Sequence, residues 1–364
     1  TPAELRVGFC VLIYEKQTVK VFVFVDQLGE KALYYSTLKD RILISYDFCQ
    51  ISEQLKQEGE LLNLNTDACY SMLVYAHMCD ENTYANEIKR LLGGEYLIFE
   101  DGIFKKGIYY ELTSDKYDLH KASEKTMIDE LNKRFKEGMS LAVEKDKEYD
   151  YQTVIELSGG MDSRLNAFVL KDLIKKPPLA ICFSKADNAD HIVSEKIAED
   201  LGFEYFFKEL DDAQFMKYID ECIAMNFGST YYFGSAHSLS LHKCLDEKRL
   251  GLIINGVLGD VGDGSYILDF DKYARVRTYK HKKPGGILYP YDYKLISKVN
   301  KEHLKRYQNE EIYMMLNRGV MGILSFNHVK QYFSESFTAY GYLEYLEYAM
   351  SIPVYYRTRK NIYK

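Results

Sequence analysis

Tryptophan is absent from this 364-residue chain, and several patterns that would assign it early are missing too. No apolar run reaches the length of a membrane-spanning helix, so the sequence gives no membrane partner. No pair of the seven cysteines (Cys10, Cys49, Cys69, Cys79, Cys182, Cys222, Cys244) has CxxC spacing, and their number is odd. That pattern favours reduced thiols in a cytoplasmic protein over a disulfide framework or a zinc site. The net charge is −7. Its acidic and basic residues are interspersed rather than gathered into a basic stripe, which gives no sign of a nucleic-acid partner. No signal peptide opens the chain, and the first residue is Thr1 rather than Met, which reads as a fragment or a processed form. Internal repeats and low-complexity tracts are lacking.

What is present is a composition of 47% hydrophobic and 28% charged residues, with Tyr used 33 times. That is enough apolar material for a large core, and the length suggests two domains. Residues 7–14 and 19–26 are apolar, β-branched-rich runs around the polar turn EKQT, a hairpin pattern. Further strand-like pieces occupy 31–36, 41–46, 95–100 and 102–111, the last two joined by Asp101-Gly102, a strong hairpin signal. Residues 65–93 carry apolar positions at helical spacing. The first 115 residues therefore read as an α+β domain with antiparallel sheet, and residues 116–125 as a polar linker.

From 126 the pattern changes. A long amphipathic helix over 126–147 leads into strands at 151–157, 178–184, 204–209 and 250–255. These alternate with helices at 163–174, 189–201 and within 213–245. Such alternation predicts a parallel sheet covered by helices. The remainder, 266–364, reads as mainly helical. The fold class is α/β: an N-terminal antiparallel-sheet domain (1–115), then a parallel-sheet domain with a helical C-terminal part (126–364).

The most informative stretch is YQTVIELSGGMDSRLNAFVL, a buried strand running into Ser158-Gly159-Gly160 with a helix opening near Asp162-Ser163. Adjacent glycines let the backbone approach a phosphate closely. Their N–H groups lie at a helix N-terminus, where the dipole favours an anion. Ser158 and Ser163 add hydroxyls, and Asp162 fits a Mg²⁺ site better than a phosphate contact. A bare SGG fits a capped strand-to-helix turn equally well. The GK[ST] ending of a Walker A loop is missing, and so is GxGxxG spacing.

With those residues in view, SGGMDS resembles the pyrophosphate-binding motif of the N-type ATP pyrophosphatases (the PP-loop superfamily). Four further stretches resemble the asparagine-synthetase branch of that group. DQLGEKALYY (26–35) and Gly94-Glu95-Tyr96-Leu97 are similar to the RDPxGxxPLYY and PGxYL segments of its glutaminase domain, an Ntn-type sheet domain. ICFSKADNADHIVSEKIAEDLG resembles the strand–helix unit that packs on adenine, which places Cys182, Phe183 and Ser184 there and Asp190 at an acidic position of the unit. INGVLGDVGDGSY (254–266) resembles the second phosphate loop, SGEGxDExxGGY. AYGYLEYLEYAMSIPVYYRTRKNIYK resembles the terminal PFLD…K segment.

The resemblance implies ATP and Mg²⁺ as cofactors. Leu157, Ser158, Gly159, Gly160, Asp162, Ser163, Gly256 and Gly259 would line the phosphates. Asp162 and Asp260 would hold the metal, and Lys360 would neutralise charge at phosphorus. Read without the resemblance, Asp260 and Asp263 among glycines also fit a polar turn, and Lys360 fits a solvated basic end.

The departures narrow this reading. Val25 stands where the glutaminase signature has Arg, no N-terminal cysteine is present, and Cys10 sits inside a strand. These features imply a degenerate or truncated glutaminase domain with no glutamine hydrolysis. The second-loop Glu falls at Val257, and the PFLD aspartate at Tyr342. What remains is an AMP- and pyrophosphate-forming ligase that adenylates a carboxylate for capture by ammonia or an amine. Two alternatives stay open: adenylation for sulfur or nitrogen insertion, with Cys222 or Cys244 of interest, and a nucleotide-binding partner protein without activity. His237, in NFGSTYYFGSAHS, is a candidate acceptor-pocket residue or a structural histidine. Oligomeric state is open, a homodimer being one option.

Overall fold

The computed structural model describes residues 2–39, 41–230, 232–259, 264–265, 306–357 and 362. The chain divides into two compact units. The first contains Thr1–Ser114 and the described residues 306–325. The second contains the described residues of Asp115–Ser265 and Phe326–Lys364.

In the first unit, the hairpin expected near the N-terminus forms from β1 (Cys10–Glu15) and β2 (Lys20–Val25), paired antiparallel from Cys10↔Val25 to Glu15↔Lys20. β3 (Tyr34–Thr37), β4 (Ile42–Ser45) and the short β5 (Lys89–Arg90) make a separate sheet in the order β4-β3-β5. β6 (Glu95–Glu100) and β7 (Ile103–Ile108) complete the first sheet in the order β1-β2-β6-β7. Asp101 and Gly102 between them have φ of 51° and 74°. Both are left-handed, as a two-residue hairpin turn with right-handed strand twist requires. Val23, Val25, Leu33, Tyr35, Leu91 and Leu97 form the core between the two sheets.

The helical spacing of 65–93 is realised only in part. Asn65 caps α2 (Thr66–Tyr75), accepting from the Ala68 amide, and the helix stops at Ala76 with φ 65°. α1 (Phe48–Gln57), opened by Asp47, precedes it and was not evident from the pattern. Beyond Ala76 other partners satisfy the backbone, so a helix is not needed there. The Asp80 amide donates to Asn317 Oδ1, and Thr83 Oγ1 donates to the Ala85 and Ile88 carbonyls. Asn317 belongs to a π-helical stretch, Met315–Ile323, that is buried along most of its length.

The second unit opens with α3 (Glu124–Ala142), capped by Ser123, and α4 (Glu144–Tyr149), so the single long helix expected there is broken at Val143. Its sheet comprises β8 (Gln152–Glu156), β9 (Leu179–Ser184), β10 (Glu204–Glu209), β11 (Leu250–Ile254) and β12 (Ser336–Phe337). The order is β10-β9-β8-β11-β12, and every pair is parallel. α5 (Met161–Leu173) connects β8 to β9, and α6 (Ala189–Leu201) connects β9 to β10. α7 (Ile219–Asn226) and α8 (Tyr232–His242) precede β11. Val154, Ile181, Leu241, Leu250 and Ile253 pack as a core cluster against the sheet. The α/β class is thus observed: antiparallel sheets N-terminally, then a five-stranded parallel sheet with helices. Among the described residues no helix is long and apolar enough to cross a membrane.

Candidate functional site

β8 is the central strand, and the loop that leaves it carries Ser158–Ser163. The Leu157 amide still pairs with the Ile181 carbonyl at 2.9 Å, so the chain departs from the sheet only at Ser158. The Ser163 hydroxyl folds back into the turn. It receives the Ser158 amide at 3.1 Å and lies within 3.1 Å of the Ser158 carbonyl. The Ser158 hydroxyl in turn accepts from the Gly160 amide at 3.2 Å. Gly160 is the N-cap of α5, with extended φ and ψ of −73° and 156° and no side-chain cap bond. The start of α5 therefore presents amides that no side chain of the cap covers, which is the arrangement that favours an anion. Ser163 is buried and thus serves the loop's shape.

Two neighbours shape this loop from outside. Asp190, at the start of α6, accepts from the Gly159 amide at 2.9 Å. The loop after β11, Asn255–Gly259, lies directly on Asp162. A Cβ on Gly256 would come within 3.1 Å of Asp162 Cβ, and one on Gly259 would overlap the Asp162 carboxylate. Both glycines are there because the two loops touch. The second loop is held by an Asx turn from Asn255 Oδ1 to the Val257 amide (3.1 Å), by Leu258 at φ 71°, and by the Thr338 hydroxyl on the Val257 carbonyl (2.5 Å). Asn166 of α5 donates to the Asn255 carbonyl at 2.9 Å, and the Tyr340 hydroxyl donates to the Asp162 carbonyl at 3.1 Å.

Leu157, Ser158, Gly159, Gly160, Asp162, Ser163, Gly256 and Gly259 are thus brought together. Asp260 and Lys360 lie outside the described residues. Arg164 is turned back onto its own helix, Nε to the Gly160 carbonyl at 3.2 Å. Cys182 and Ser184 are buried at the end of β9. Burial raises the Cys182 thiol above its usual range. The Phe183 ring faces His237 with centroids 6.2 Å apart, and Phe215 meets the same imidazole edge-on at 4.2 Å. His237 is therefore packed among aromatics, and desolvation lowers its pKa. Tyr342 is buried against Gly138, so its ring is part of the packing. Among the described residues no group of three or more His, Cys, Asp or Glu side chains is placed to hold a metal by itself.

Sequence reasoning missed the contribution of residues 327–340. Asn327, Ser336, Thr338 and Tyr340 bond to one or other of the two loops. No motif marks them, because their role is set by the sheet order that brings β12 beside β11.

In the first unit, the buried Asp26 closes the turn at 26–31. Its carboxylate accepts from the amides of Leu28 (3.1 Å), Glu30 (2.9 Å) and Lys31 (3.1 Å). Gly29 has φ 74°, and Arg90 donates to its carbonyl at 2.8 Å. Cys10 is exposed as a residue. Desolvation of its sulfur, then the nearby Asp26 charge, pushes the thiol up to about 11. A cavity of about 320 Å³ is lined by Gln27, Gly93, Tyr110, Arg306, Tyr307 and Gln308 among others. Its polar groups are engaged already: Arg306 with Glu95 at 2.8 Å, Tyr307 with Asp80, and Gln27 with the Leu5 carbonyl at 3.0 Å.

Comparison with known proteins assigns part of this chain. Residues 3–110 match the model of a glutamine amidotransferase domain, less than a third of the sequence. No curated protein matches the chain. Among solved structures it is similar to the NH3-dependent NAD synthetase of Campylobacter jejuni, at 20% identity over 51% of this chain and 91% of that one, with a TM-score of 0.29. The U34-tRNA thiolase of Methanococcus maripaludis is 18% identical over 52% and 78%, with a TM-score of 0.28. The glutamine-dependent NAD+ synthetase of Acinetobacter baumannii is 12% identical over 86% and 70%, with a TM-score of 0.27. Likenesses at these scores establish neither a shared activity nor a shared overall fold, so what is assigned is an N-terminal segment similar to glutamine amidotransferase domains.

Proposed function

We propose that this chain is an ATP-dependent ligase of asparagine-synthetase type, which forms AMP and pyrophosphate while activating a substrate carboxylate. The observation that carries this reading is the open N-terminus of α5 beneath a second glycine loop: Gly160 caps without a side chain, and Gly256 and Gly259 bring the second loop onto Asp162. Two strand ends then surround one anion-favouring point, which suits a polyphosphate better than a single capped turn does.

A carboxylate oxygen attacks the α-phosphorus, the bond to the β-phosphate oxygen breaks, and pyrophosphate leaves into the Ser158–Ser163 loop. An amine or ammonia then attacks the acyl carbon, losing a proton to solvent, and AMP departs. Asp162 and Asp260 are the proposed Mg²⁺ ligands. What supports the pairing is that the Asp162 carboxylate packs against Gly259, the residue before Asp260. Bound there, the ion would neutralise phosphate charge. Lys360 would stabilise charge at phosphorus, and Cys182, Phe183 and Ser184 would form the adenine wall. Glutamine hydrolysis is not part of the proposal: Val25 stands where the signature has arginine, and desolvation, then the nearby Asp26 charge, raises the Cys10 thiol rather than lowering it.

Each such electrostatic contact in a dry site contributes on the order of 3–4 kcal/mol to the transition state. The test is pyrophosphate release from ATP across amino acids, uronic acids and peptides. Asp162→Ala is expected to lower substrate-dependent ATP–pyrophosphate exchange by about 100-fold or more. Unchanged exchange in that variant would remove Asp162 from the site. Neither Cys222 nor Cys244 favours sulfur chemistry: burial pushes Cys222 up to about 11, and the Cys244 sulfur is bonded to the Ser240 carbonyl at 3.4 Å. Calorimetry with ATP and Mg²⁺ separates the ligase from a protein that binds no nucleotide.

A further inference from the structure

Glu156 closes β8, two residues before the Ser158 turn. Its Oε2 accepts from Lys330 Nζ at 2.6 Å, and the two side chains are only 18% and 6% exposed. Lys330 ends the short helix Asn327–Lys330, and the chain that follows runs along the second loop. Asn255 donates through Nδ2 to Ser336 Oγ at 2.9 Å and to Asn327 Oδ1 at 3.4 Å. The Asn255 amide bonds to the Phe337 carbonyl at 3.0 Å. One stretch of chain, 327–340, therefore grips the end of β8 at Lys330, the first loop at Tyr340, and the second at Asn327, Ser336 and Thr338.

The energetics argue that this pair is not there to hold the sheet together. Taking a lysine and a glutamate out of water costs about as much as their attraction returns, and apolar pairs of similar volume replace buried ion pairs without loss of stability. The sheet already has an apolar cluster around Val154 and Ile253. The buried neighbour His242 feels both charges but bonds to neither. His242 is wholly buried, its ring stacked on Phe333 with centroids 5.2 Å apart, and among the described residues neither ring nitrogen has a hydrogen-bond partner. It therefore supplies no bond to either partner, and the second oxygen of Glu156 likewise has no partner among the described residues.

We infer that Lys330 and Glu156 are positioning residues, whose ion pair fixes the end of β8, and so the Ser158–Ser163 turn, against the Gly256–Gly259 loop. The inference rests on reading those two loops as one phosphate site. It predicts a separation of stability from nucleotide binding that a merely structural pair would not give.

The test uses the full chain and the double variant Glu156→Leu/Lys330→Met. Its readouts are thermal unfolding, calorimetry with ATP and Mg²⁺, and amide hydrogen exchange across 157–164 and 255–259. The expected result is a thermal midpoint within about 4 °C of the parent, ATP affinity lowered by about tenfold, and faster exchange in both loops. A double variant that keeps parental ATP affinity and parental loop exchange overturns the inference, as does one that loses the fold along with binding. If the parent binds no ATP, the nucleotide reading fails by itself. Loop exchange in the double variant still decides whether the pair positions the two loops.

Discussion

The amide of Gly159 donates to the carboxylate of Asp190 at 2.9 Å, so an anion of the protein's own occupies one donor of the turn. That contact does two opposed things: it orients the glycine turn, and it sets a negative charge beside the place proposed for a triphosphate. Charges about 4 Å apart interact with roughly 1 kcal/mol even in bulk water. Asp190→Asn keeps an acceptor for the amide and removes the charge. ATP affinity measured by calorimetry is expected to rise about fivefold. A fall would show that orientation, not charge, is what Asp190 contributes.

Gly259→Ala offers a way to move Asp162 without touching it. The added methyl would overlap the Asp162 carboxylate, the mobile end of a side chain, so the carboxylate can swing aside. The cost to stability is expected to be about 1 kcal/mol or less, whereas ATP–pyrophosphate exchange is expected to fall at least tenfold, as for displacement of any well-placed charge. A stable variant with parental exchange would mean that the metal is held elsewhere.

A matched pair of glycines tests the N-terminal unit. Gly102 has φ 74° with open space around the position of a Cβ, and Gly94 has φ 72° with the Tyr110 carbonyl in that position. Alanine at 102 pays only the left-handed backbone cost, about 1 kcal/mol. At 94 it must also push the 109–110 backbone away, where Gly94 O accepts the Tyr109 and Tyr110 amides, so roughly twice that loss or more is expected. Urea unfolding of the two variants gives the comparison.

Two histidines set a pH dependence. Burial, as the first cause, lowers both His77 and His242 to about 4 from an ordinary 6.5. His77 donates from Nδ1 to the Tyr75 carbonyl at 3.0 Å, a weaker influence in the opposite direction. The unfolded chain takes up protons below about pH 6.5 that the folded chain refuses until about pH 4, so folding stability falls as pH drops through that window. Each site contributes roughly 3 kcal/mol at the acid end. Thermal midpoints between about pH 7.5 and about pH 4.5 are expected to decline less steeply in His242→Phe than in the parent. An unchanged slope would mean that His242 titrates alike in both states.

Much of the fold could be read from local chemistry. The Asp101-Gly102 turn needed two left-handed residues, and the sequence has a pair suited to them. The β8-loop-α5 unit was visible because an apolar run met two glycines and a polar helix start. What escaped depended on partners distant in sequence. Residues 76–93 have helical spacing, but Asn317 and the Thr83 hydroxyl satisfy their backbone in another conformation. β12 is two residues long, too short for any periodicity, and exists because β11 offers it an edge. Lys330 and Glu156 are each unremarkable in sequence and acquire meaning only when paired 174 positions apart.

Both units draw on chain separated widely in sequence, and this bears on the order in which the protein can be completed. Glu95 is buried and receives Arg306 at 2.8 Å as well as Lys106 at 3.5 Å, while the Asp80 amide bonds to Asn317, so the pairing of the N-terminal half is completed only once the ribosome has passed residue 317. The parallel sheet waits longer, until β12 emerges. During synthesis a nascent chain of some 300 residues therefore holds two half-closed cores together, a state that exposes apolar surface and suits capture by chaperones. Cutting the gene after residue 114 would yield a first fragment in which the buried Glu95 lacks Arg306. Co-expressing the missing late segment is the natural way to restore it.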